Sequence, residues 1–281
     1  MRRRVSQHPR LETVLTAALA LLTPMAANMV GAQAGTPDRP GSEPVVVRVS
    51  ATRPRGYHVT ASGPRPNPAA IGRQAALVAR WTNVLVHVPR TLPALARPRA
   101  GSPQVGVVPA GSKYYRIPIV AWVEDVSLDG RWGLVELPYT WPRREGWIRI
   151  GGLRRETNRV RVEVDLSQHM VIVRKLGKVL FRSPGATGAS SSPTPVGEYF
   201  VTDRVPFSPG GALGSFAFGI SGIQPRLPAG WSGGNQLAIH GTNQPWSIGR
   251  SASAGCVRVS QAMLDRLMPL LVYGTPVIVH A

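Results

Sequence analysis

The chain has 281 residues, and 33 lysines and arginines against 14 aspartates and glutamates give it a formal net charge of +19 at pH 7. A positive field of this size attracts polyanions but does not define a fold. The sequence lacks a helix-turn-helix pattern, zinc-finger spacing and an aromatic RNA-binding motif, so nucleic-acid binding is not predicted. Two explanations of the charge stay open, namely attraction to anionic cell-wall polymers and a generally arginine-rich background composition.

Residues 1–34 have the pattern of an export signal. A basic segment precedes the apolar run Val14–Leu22, and Ala32-Gln33-Ala34 offers a small-x-small cleavage site. Pro24 and Asn28 interrupt the apolar stretch, which leaves it short of the roughly 20 apolar residues of a bilayer-spanning helix. We therefore predict an extracytoplasmic protein, in the cell wall or periplasm. Its first 34 residues are either a signal peptide or a membrane anchor.

Residues 35–74 form a linker by composition. Prolines and glycines are frequent in this segment, at a level typical of aperiodic chain without regular structure. The exception is Val45–Val49, which is either an edge strand or an extended spacer. A linker of this kind would let the folded part reach a substrate away from the membrane.

Short strands separated by turn residues are predicted for residues 75–153. Gly130-Arg131-Trp132 and Gly146-Trp147-Ile148 have a spacing that loosely resembles bacterial SH3-like wall modules, so a small β barrel is expected here. Five tryptophans lie in this stretch. We expect them in the core rather than stacked on glycan rings, because large aromatic side chains dominate small cores. They are Trp81, Trp122, Trp132, Trp141 and Trp147.

Residues 158–281 are again β-rich. Apolar and charged residues alternate from Val160 to Leu166, which is typical of a half-buried strand. One helix is predicted over Gln261–Leu271, with Ser260 as its N-cap and Pro269 shortening its end. Further strands are predicted at His169–Arg174, Val179–Arg182, Glu198–Thr202, Gln236–His240 and Pro276–His280.

Cys256 is the only cysteine of the chain. It has no partner for an internal disulfide, so a reactive thiol is of interest in an exported protein. His240 ends an apolar strand and precedes Gly241, and Gly255 precedes the cysteine, so both side chains lie where a close approach is allowed. A histidine within hydrogen-bond reach of the sulfur can take the thiol proton and later return a proton to a leaving amine.

Residue type alone leaves other roles open for this pair. A lone cysteine is commonly an inert buried side chain, and a histidine at a strand end is commonly structural. A metal site is not predicted, because the six histidines and the cysteine show no clustered ligand spacing. No cofactor is expected.

Several segments of the chain resemble the L,D-transpeptidase catalytic domain, a family that cross-links peptidoglycan. The segments are Ile239–Asn243, Ser247–Gly249 and Ser253–Arg258, with Val164–Gln168 and the Thr-Pro-x-Gly segment Ser192–Phe200 upstream. The resemblance covers about residues 158–281. It implies that Cys256 is the nucleophile and His240 its base.

The resemblance also matches residues around the nucleophile. Ser253 corresponds to the family's serine three residues before the nucleophile, and we expect it to shape the loop. The backbone N–H groups at Gly255 and Cys256 are the expected oxyanion donors. Arg258 corresponds to the arginine two residues after it, and either orients a substrate carboxylate or serves as a structural hub. Ala254 is a departure, because many members carry histidine or lysine there. It leaves the substrate contacts and the thiol pKa open.

The implied fold is mainly β, with a small SH3-like β barrel followed by a β-sandwich-like catalytic domain with one short helix. The implied reaction is attack of Cys256 on a peptidoglycan stem tetrapeptide, release of D-alanine and transfer of the acyl group from the thioester to an amine of a second stem. An L,D-carboxypeptidase using the same thioester and a non-catalytic wall-binding protein are the alternatives. A carbapenem is expected to acylate the thiol, and membrane contact is expected only through an N-terminal anchor.

Overall fold

The computed structural model describes residues 78–281 of the chain. The predicted export signal, the linker and the segment Val45–Val49 lie outside the described residues. Residues 78–281 belong to one compact unit, in which no helix is both long enough and apolar enough to cross a lipid bilayer.

The described residues are mainly β, which confirms the predicted fold class. The strands of a first region are β1 (Asn83–His87), β2 (Leu92–Leu95), β3 (Gln104–Val108), β4 (Val120–Val123), β5 (Asp125–Val126), β6 (Trp132–Glu136), β7 (Glu145–Arg149) and β8 (Arg155–Asn158). The elements of a second region are β9 (Val160–Asp165), β10 (Met170–Lys175), β11 (Lys178–Pro184), β12 (Thr187–Gly188), β13 (Gly197–Pro206), β14 (Phe216–Ile223), β15 (Gln236–His240), a 3-10 helix (Pro245–Ser247), β16 (Ser251–Ser253), β17 (Val257–Arg258), helix α1 (Gln261–Leu267) and β18 (Pro276–His280).

The first region consists of two antiparallel sheets. One has the strand order β3-β2-β7-β6-β5 and the other β4-β1-β8. The chain turns before Trp132, and Gly130 adopts a φ of +67° that favours glycine there. Trp122 is 7% exposed and belongs to the core, whereas the core prediction is wrong for Trp141, which is 51% exposed. The SH3-like likeness of this region stays a prediction.

The second region is organised around an eight-stranded sheet with the order β11-β10-β9-β18-β13-β14-β15-β17. The predicted alternation in β9 is confirmed, since Val160, Val162 and Val164 are all buried in the core beneath this sheet. Helix α1 adds three buried side chains to the same core, Met263, Leu264 and Leu267. The core therefore lies between the sheet and the helix.

Helix α1 is shorter than predicted. It begins after Ser260, whose Oγ accepts a hydrogen bond from the Met263 N–H, so the predicted N-cap is confirmed. The helix ends at Leu267 rather than Leu271. The physical reason is Pro269, because its ring has no N–H and clashes with the carbonyl one turn earlier in a continued helix.

Strand β14 has no counterpart among the predicted strands, because Gly219 and Gly222 break up its apolar run. The structure gives a reason for the first glycine. A Cβ at Gly219 would lie 2.6 Å from Gln236 Nε2 and 2.7 Å from Asp203 Oδ2. Glycine therefore leaves room for the hydrogen bond of 2.6 Å between the amide of Gln236 and the carboxylate of Asp203.

The two regions share a core. Phe200 of β13 is fully buried among the apolar residues of the first region, and Ile278 of β18 packs against the same cluster. Beside them, Ser221 Oγ accepts a hydrogen bond of 3.0 Å from the Phe200 N–H and donates to the buried carboxylate of Glu136. Burial raises the pKa of Glu136 well above its ordinary value. The first region thus packs directly against strands that lead to the candidate site.

Candidate active site

Strand β15 places His240. Leu237 and Ile239 are buried in the core, so the alternation of a strand turns Gln236, Ala238 and His240 to the opposite face. These three residues line a cavity of about 550 Å³. His240 itself is only 4% exposed.

The loop Ser253–Cys256 brings the thiol to the same cavity. It leads into β17, which pairs with β15 in parallel so that Ile239 lies opposite Val257 and His240 opposite Arg258. This register sets Cys256 beside Ala238, two residues before His240 on the same face of β15. Cys256 Sγ lies 3.9 Å from the Gln236 main-chain oxygen, and both Cys256 and His240 line the cavity.

Hydrogen bonds within the loop fix its shape. The buried Ser253 Oγ accepts from the Gly255 N–H at 3.0 Å and donates to the Cys256 carbonyl oxygen at 2.5 Å. Gly255 has a φ of +116°, which favours glycine, and a Cβ there would lie 2.1 Å from Gln224 Nε2. Because the Gly255 N–H is occupied by Ser253, the Cys256 N–H is left as the donor of the expected oxyanion pair.

Two buried residues form hydrogen bonds that support this loop, and the sequence analysis did not assign either of them to the site. Thr194 Oγ1 accepts from the Gly188 N–H and donates to the Gly255 carbonyl oxygen, each at 2.8 Å. Gln224 Nε2 lies within hydrogen-bond distance of the carbonyl oxygens of Ser192, Pro193 and Ala254. Thr194 belongs to the Thr-Pro-x-Gly segment that carries the resemblance, which could have indicated it. Gln224 lies in a loop without any sequence signal.

The environment of Cys256 favours the neutral thiol. The side chain is half-buried, and loss of water raises the pKa of the Cys256 thiol above its ordinary value. The Ala238 main-chain N–H and the positive charge of Arg258 act on that pKa in the opposite direction. The thiol is therefore protonated at neutral pH and requires a base before it can react.

His240 has the tautomer that such a base requires. Its Nδ1 lies 2.5 Å from the Gly241 carbonyl oxygen, and a carbonyl can only accept, so Nδ1 carries the proton and Nε2 keeps a free lone pair. Burial lowers the pKa of His240 to about 4, against the Gly241 hydrogen bond, which raises it. The imidazole is neutral at pH 7 and can accept a proton. Gly241 thus contributes through its carbonyl oxygen.

Arg258 supplies positive charge to the cavity. It lines the cavity, and its Nη1 donates to Gln244 Oε1 at 2.6 Å. Between residues 78 and 281 no carboxylate forms an ion pair with Arg258. Over the same range, no group of three or more histidine, cysteine, aspartate or glutamate side chains is arranged to hold a metal ion.

Comparison with known proteins identifies the family of the second region. A family model described as the L,D-transpeptidase catalytic domain matches residues 159–279. A Bacillus licheniformis protein that carries the name L,D-transpeptidase YkuD is 30% identical over 131 residues, which cover 46% of this chain and 72% of that protein. The protein of the same name in Bacillus subtilis is 30% identical over 103 residues, covering 37% of this chain and 55% of that protein.

Solved structures of lower identity are also similar to the chain. The L,D-transpeptidase from Mycobacterium smegmatis is 19% identical, with 58% of this chain and 89% of that chain covered and a TM-score of 0.38. L,D-transpeptidase 3 from Mycobacterium tuberculosis, in complex with a faropenem-derived adduct, is 21% identical, with 78% and 88% covered and a TM-score of 0.37. From the family model and the Bacillus licheniformis relative, we conclude that the chain belongs to the L,D-transpeptidase catalytic domain family.

Proposed function

We propose that the protein is a peptidoglycan L,D-transpeptidase with Cys256 as nucleophile and His240 as general base, acting outside the cytoplasm. One observation carries the assignment: the Nδ1 hydrogen bond to Gly241 leaves Nε2 as the free nitrogen of a ring that lines the same cavity as the thiol. The donor is a stem tetrapeptide. A cavity of about 550 Å³ is within the usual range for a ligand of this size.

In the acylation step, His240 Nε2 takes the proton of the Cys256 thiol while Sγ attacks the carbonyl carbon that precedes the terminal D-alanine. Negative charge develops on the carbonyl oxygen, where the Cys256 N–H donates and Arg258 adds positive charge. The imidazolium then gives its proton to the D-alanine nitrogen as the carbon–nitrogen bond breaks. D-alanine leaves, and the acyl group remains on Sγ as a thioester.

In the transfer step, an amine of a second stem attacks the thioester carbon. His240 Nε2 takes the proton that the amine loses, the carbon–sulfur bond breaks, and the proton passes to Sγ. A new amide joins the two stems, and the thiol and the neutral imidazole are restored. The same base therefore serves both steps.

The resting site holds a neutral thiol and a neutral imidazole rather than an ion pair. Burial raises the pKa of Cys256 and lowers that of His240, so proton transfer between them is unfavourable until a carbonyl group accepts the sulfur. Arg258 acts on both groups, because its positive charge lowers the pKa of the thiol and also lowers that of His240. Proton transfer is accordingly coupled to attack on the substrate.

Mass spectrometry of the protein incubated with a tetrapeptide donor, with and without an amine acceptor, tests the proposal. We expect loss of D-alanine and a thioester at Cys256 without acceptor, and a cross-linked peptide when the acceptor is added. Release of only the free tripeptide in both samples would indicate an L,D-carboxypeptidase instead. Binding of peptidoglycan without any acyl-enzyme would indicate a wall-binding protein.

The variant Cys256→Ala is the control for that experiment. It should fold normally, because one half-buried sulfur contributes little to a β core, and it should form no acyl-enzyme. D-alanine release by the folded variant would exclude Cys256 as the nucleophile. We also expect a carbapenem to add one drug mass to the wild-type protein and none to the variant.

A further inference from the structure

One wall of the catalytic cavity comes from the first region of the chain. The connection between β3 and β4 contains residues 112–117, named here the tyrosine loop, and its Tyr114 and Tyr115 line the cavity together with His240 and Cys256. Tyr114 is 48% exposed and Tyr115 is 50% exposed. Two large aromatic rings thus lie at the cavity and keep about half of their surface exposed.

The tyrosine loop is held in a defined shape. Ser112 is fully buried, its N–H donates to the Ile117 carbonyl oxygen at 2.8 Å, and its Oγ accepts from the Ile117 N–H at 3.2 Å. An isolated bridge between Gly111 and Pro118 closes the loop at its base. The rings are therefore presented by a closed loop with its own hydrogen bonds, which lowers the entropy lost on binding a ligand.

The tyrosine loop is also joined to the strand that carries His240. Asn235 directly precedes β15, and its Oδ1 accepts from Lys113 Nζ at 2.7 Å and from the Tyr114 hydroxyl at 3.3 Å. The Asn235 N–H in turn donates to the Tyr114 hydroxyl at 3.2 Å. Asn235 thus joins the tyrosine loop to the strand that ends at His240.

Arg258 and Asp203 line the cavity, and Lys113 lies beside it on the tyrosine loop. Arg258 lies near the thiol, and Lys113 lies on the tyrosine loop without a carboxylate partner among residues 78–281. Asp203 is the only acidic residue among the described residues that line the cavity. It is 1% exposed, its Oδ2 accepts from Thr202 and Gln236, and its Oδ1 is buried without a hydrogen-bond partner among residues 78–281. A ligand that carries carboxylates is therefore favoured.

We propose that the tyrosine loop is part of the substrate-binding site, where the donor stem peptide packs against Tyr114 and Tyr115 and one of its carboxylates lies at Lys113. The proposal rests on the proposed function. It gives the first region a direct role in substrate recognition, in addition to its packing against the second region. Tyrosine suits this role because it offers a large amphipathic contact area with few rotatable bonds.

Steady-state release of D-alanine from a tetrapeptide tests the proposal with two variants and a matched control. Tyr115→Ala should raise KM about two- to tenfold with kcat unchanged, because it removes a contact made equally before and during reaction. Lys113→Gln should raise KM about threefold at low salt, as expected for an exposed ion pair. Trp141→Ala removes an equally exposed aromatic residue of the first region that does not line the cavity, and should leave KM unchanged.

A donor whose carboxylates are amidated separates charge recognition from folding effects. The Lys113→Gln effect should disappear with this donor, whereas the Tyr115→Ala effect should persist. Alkylation of Cys256 by iodoacetamide should proceed at the same rate in all of these proteins, since the small reagent does not need the wall. Tyr114→Phe, which removes only the hydroxyl bonded to Asn235, is a second test that keeps the ring and should raise KM less than Tyr115→Ala.

Unchanged KM in both Tyr115→Ala and Lys113→Gln, with an active wild-type enzyme, would overturn the binding role of the tyrosine loop and leave the proposed function intact. An equal KM increase in Trp141→Ala would also overturn it. A wild-type protein that releases no D-alanine and forms no acyl-enzyme would instead overturn the proposed function, and the substrate role of the loop with it.

Discussion

The two residues of the proposed catalytic pair are held in different ways. His240 lies at the end of β15, where pairing with β14 on one side and β17 on the other fixes the main chain. Cys256 lies in a loop whose shape depends on side-chain hydrogen bonds from Ser253, Thr194 and Gln224. Backbone pairing thus positions the base, whereas side-chain hydrogen bonds, from Ser253 nearby and from two residues distant in sequence, position the nucleophile.

The difference matters because substitutions affect strand pairing and side-chain hydrogen bonds differently. A strand in the middle of a sheet tolerates most side-chain substitutions on its neighbours, since the ladder hydrogen bonds remain. A loop supported by buried hydroxyl and amide groups loses a partner with each substitution, and the group left behind is unpaired in the interior. We therefore expect distant substitutions to impair the nucleophile more readily than the base.

Removing the base itself should have the largest effect. The His240→Gln variant keeps a polar side chain but cannot accept and return a proton, so acylation at neutral pH should slow by roughly 10²–10⁴-fold. Part of the rate should return at high pH, above the raised pKa of Cys256, where the thiol ionises without help. Acylation rates of both proteins from about pH 6 to pH 11 measure this. Equal rates at neutral pH would exclude His240 from the mechanism, and equal slowing at every pH would indicate a positioning role.

The burial of His240 should also appear in the pH dependence of stability. Its pKa is about 4 in the folded protein against an ordinary value of 6.5, so between these values the unfolded chain binds a proton that the folded protein does not. Stability should therefore fall as the pH drops from 6.5 to 4, by about 3 kcal/mol from this group. Above pH 6.5 the ring is neutral in both states and contributes no slope.

The measurement is the free energy of unfolding in urea for the wild type and His240→Gln across that pH range. The difference between the two proteins should change with pH in favour of the variant as the solution becomes more acidic. A constant difference would show that His240 titrates alike in both states. The same low pKa predicts that acylation by the wild type persists down to about pH 4 before it declines.

Removing the support of the nucleophile should have a smaller effect on rate. In Thr194→Val the Gly188 N–H and the Gly255 carbonyl oxygen both lose their partner, so we expect a loss of about 1–3 kcal/mol in stability. Acylation should slow about tenfold, because the loop that carries Sγ shifts from its reactive position. Thr194→Ser keeps the hydroxyl and is the matched control. If Thr194→Val acylates as fast as Thr194→Ser, the hydroxyl does not position the nucleophile.

The smallest effect is expected at Ser260, the N-cap of helix α1. Ser260→Ala should cost about 1 kcal/mol of stability, because the Met263 N–H loses its acceptor. The acylation rate should stay the same, since the Cys256 loop is held by other residues. A slower rate with unchanged stability at the assay temperature would show that the helix start also supports the thiol.

The sequence predicted the elements whose pattern is local. The alternation in Val160–Leu166 and the apolar run before His240 correspond to β9 and β15, and the second of these has the predicted bounds. The interruption of β14 by Gly219 and Gly222 removed that local pattern. The reason for Gly219 lies in the Asp203 and Gln236 side chains, and that for Gly222 in Tyr199 and Leu237, which only the fold brings near.

In the candidate site, too, local sequence features predicted some residues, whereas others depend on contacts that only the fold creates. The glycine-flanked positions and the resemblance indicated Cys256 and His240, and the structure places both at one cavity. The Gln224 side chain beneath the Cys256 loop could not be predicted, because its three carbonyl contacts come from segments about 30 residues away along the chain. The exposure of Trp141 likewise depends on where the sheets close, which residue type does not reveal.

The burial of Phe200 in the core of the first region limits how the catalytic domain can be recombined with other domains in evolution. A gene fusion that moved residues 159–279, the segment matched by the family model, onto a foreign partner would bring this phenylalanine to the surface. It would also remove Glu136, the acceptor of the Ser221 hydroxyl. Recombination could exchange the first region only for one that presents a matching apolar face to β13 and β18. The segment that must be inherited as a unit is therefore longer than residues 159–279, which define the family.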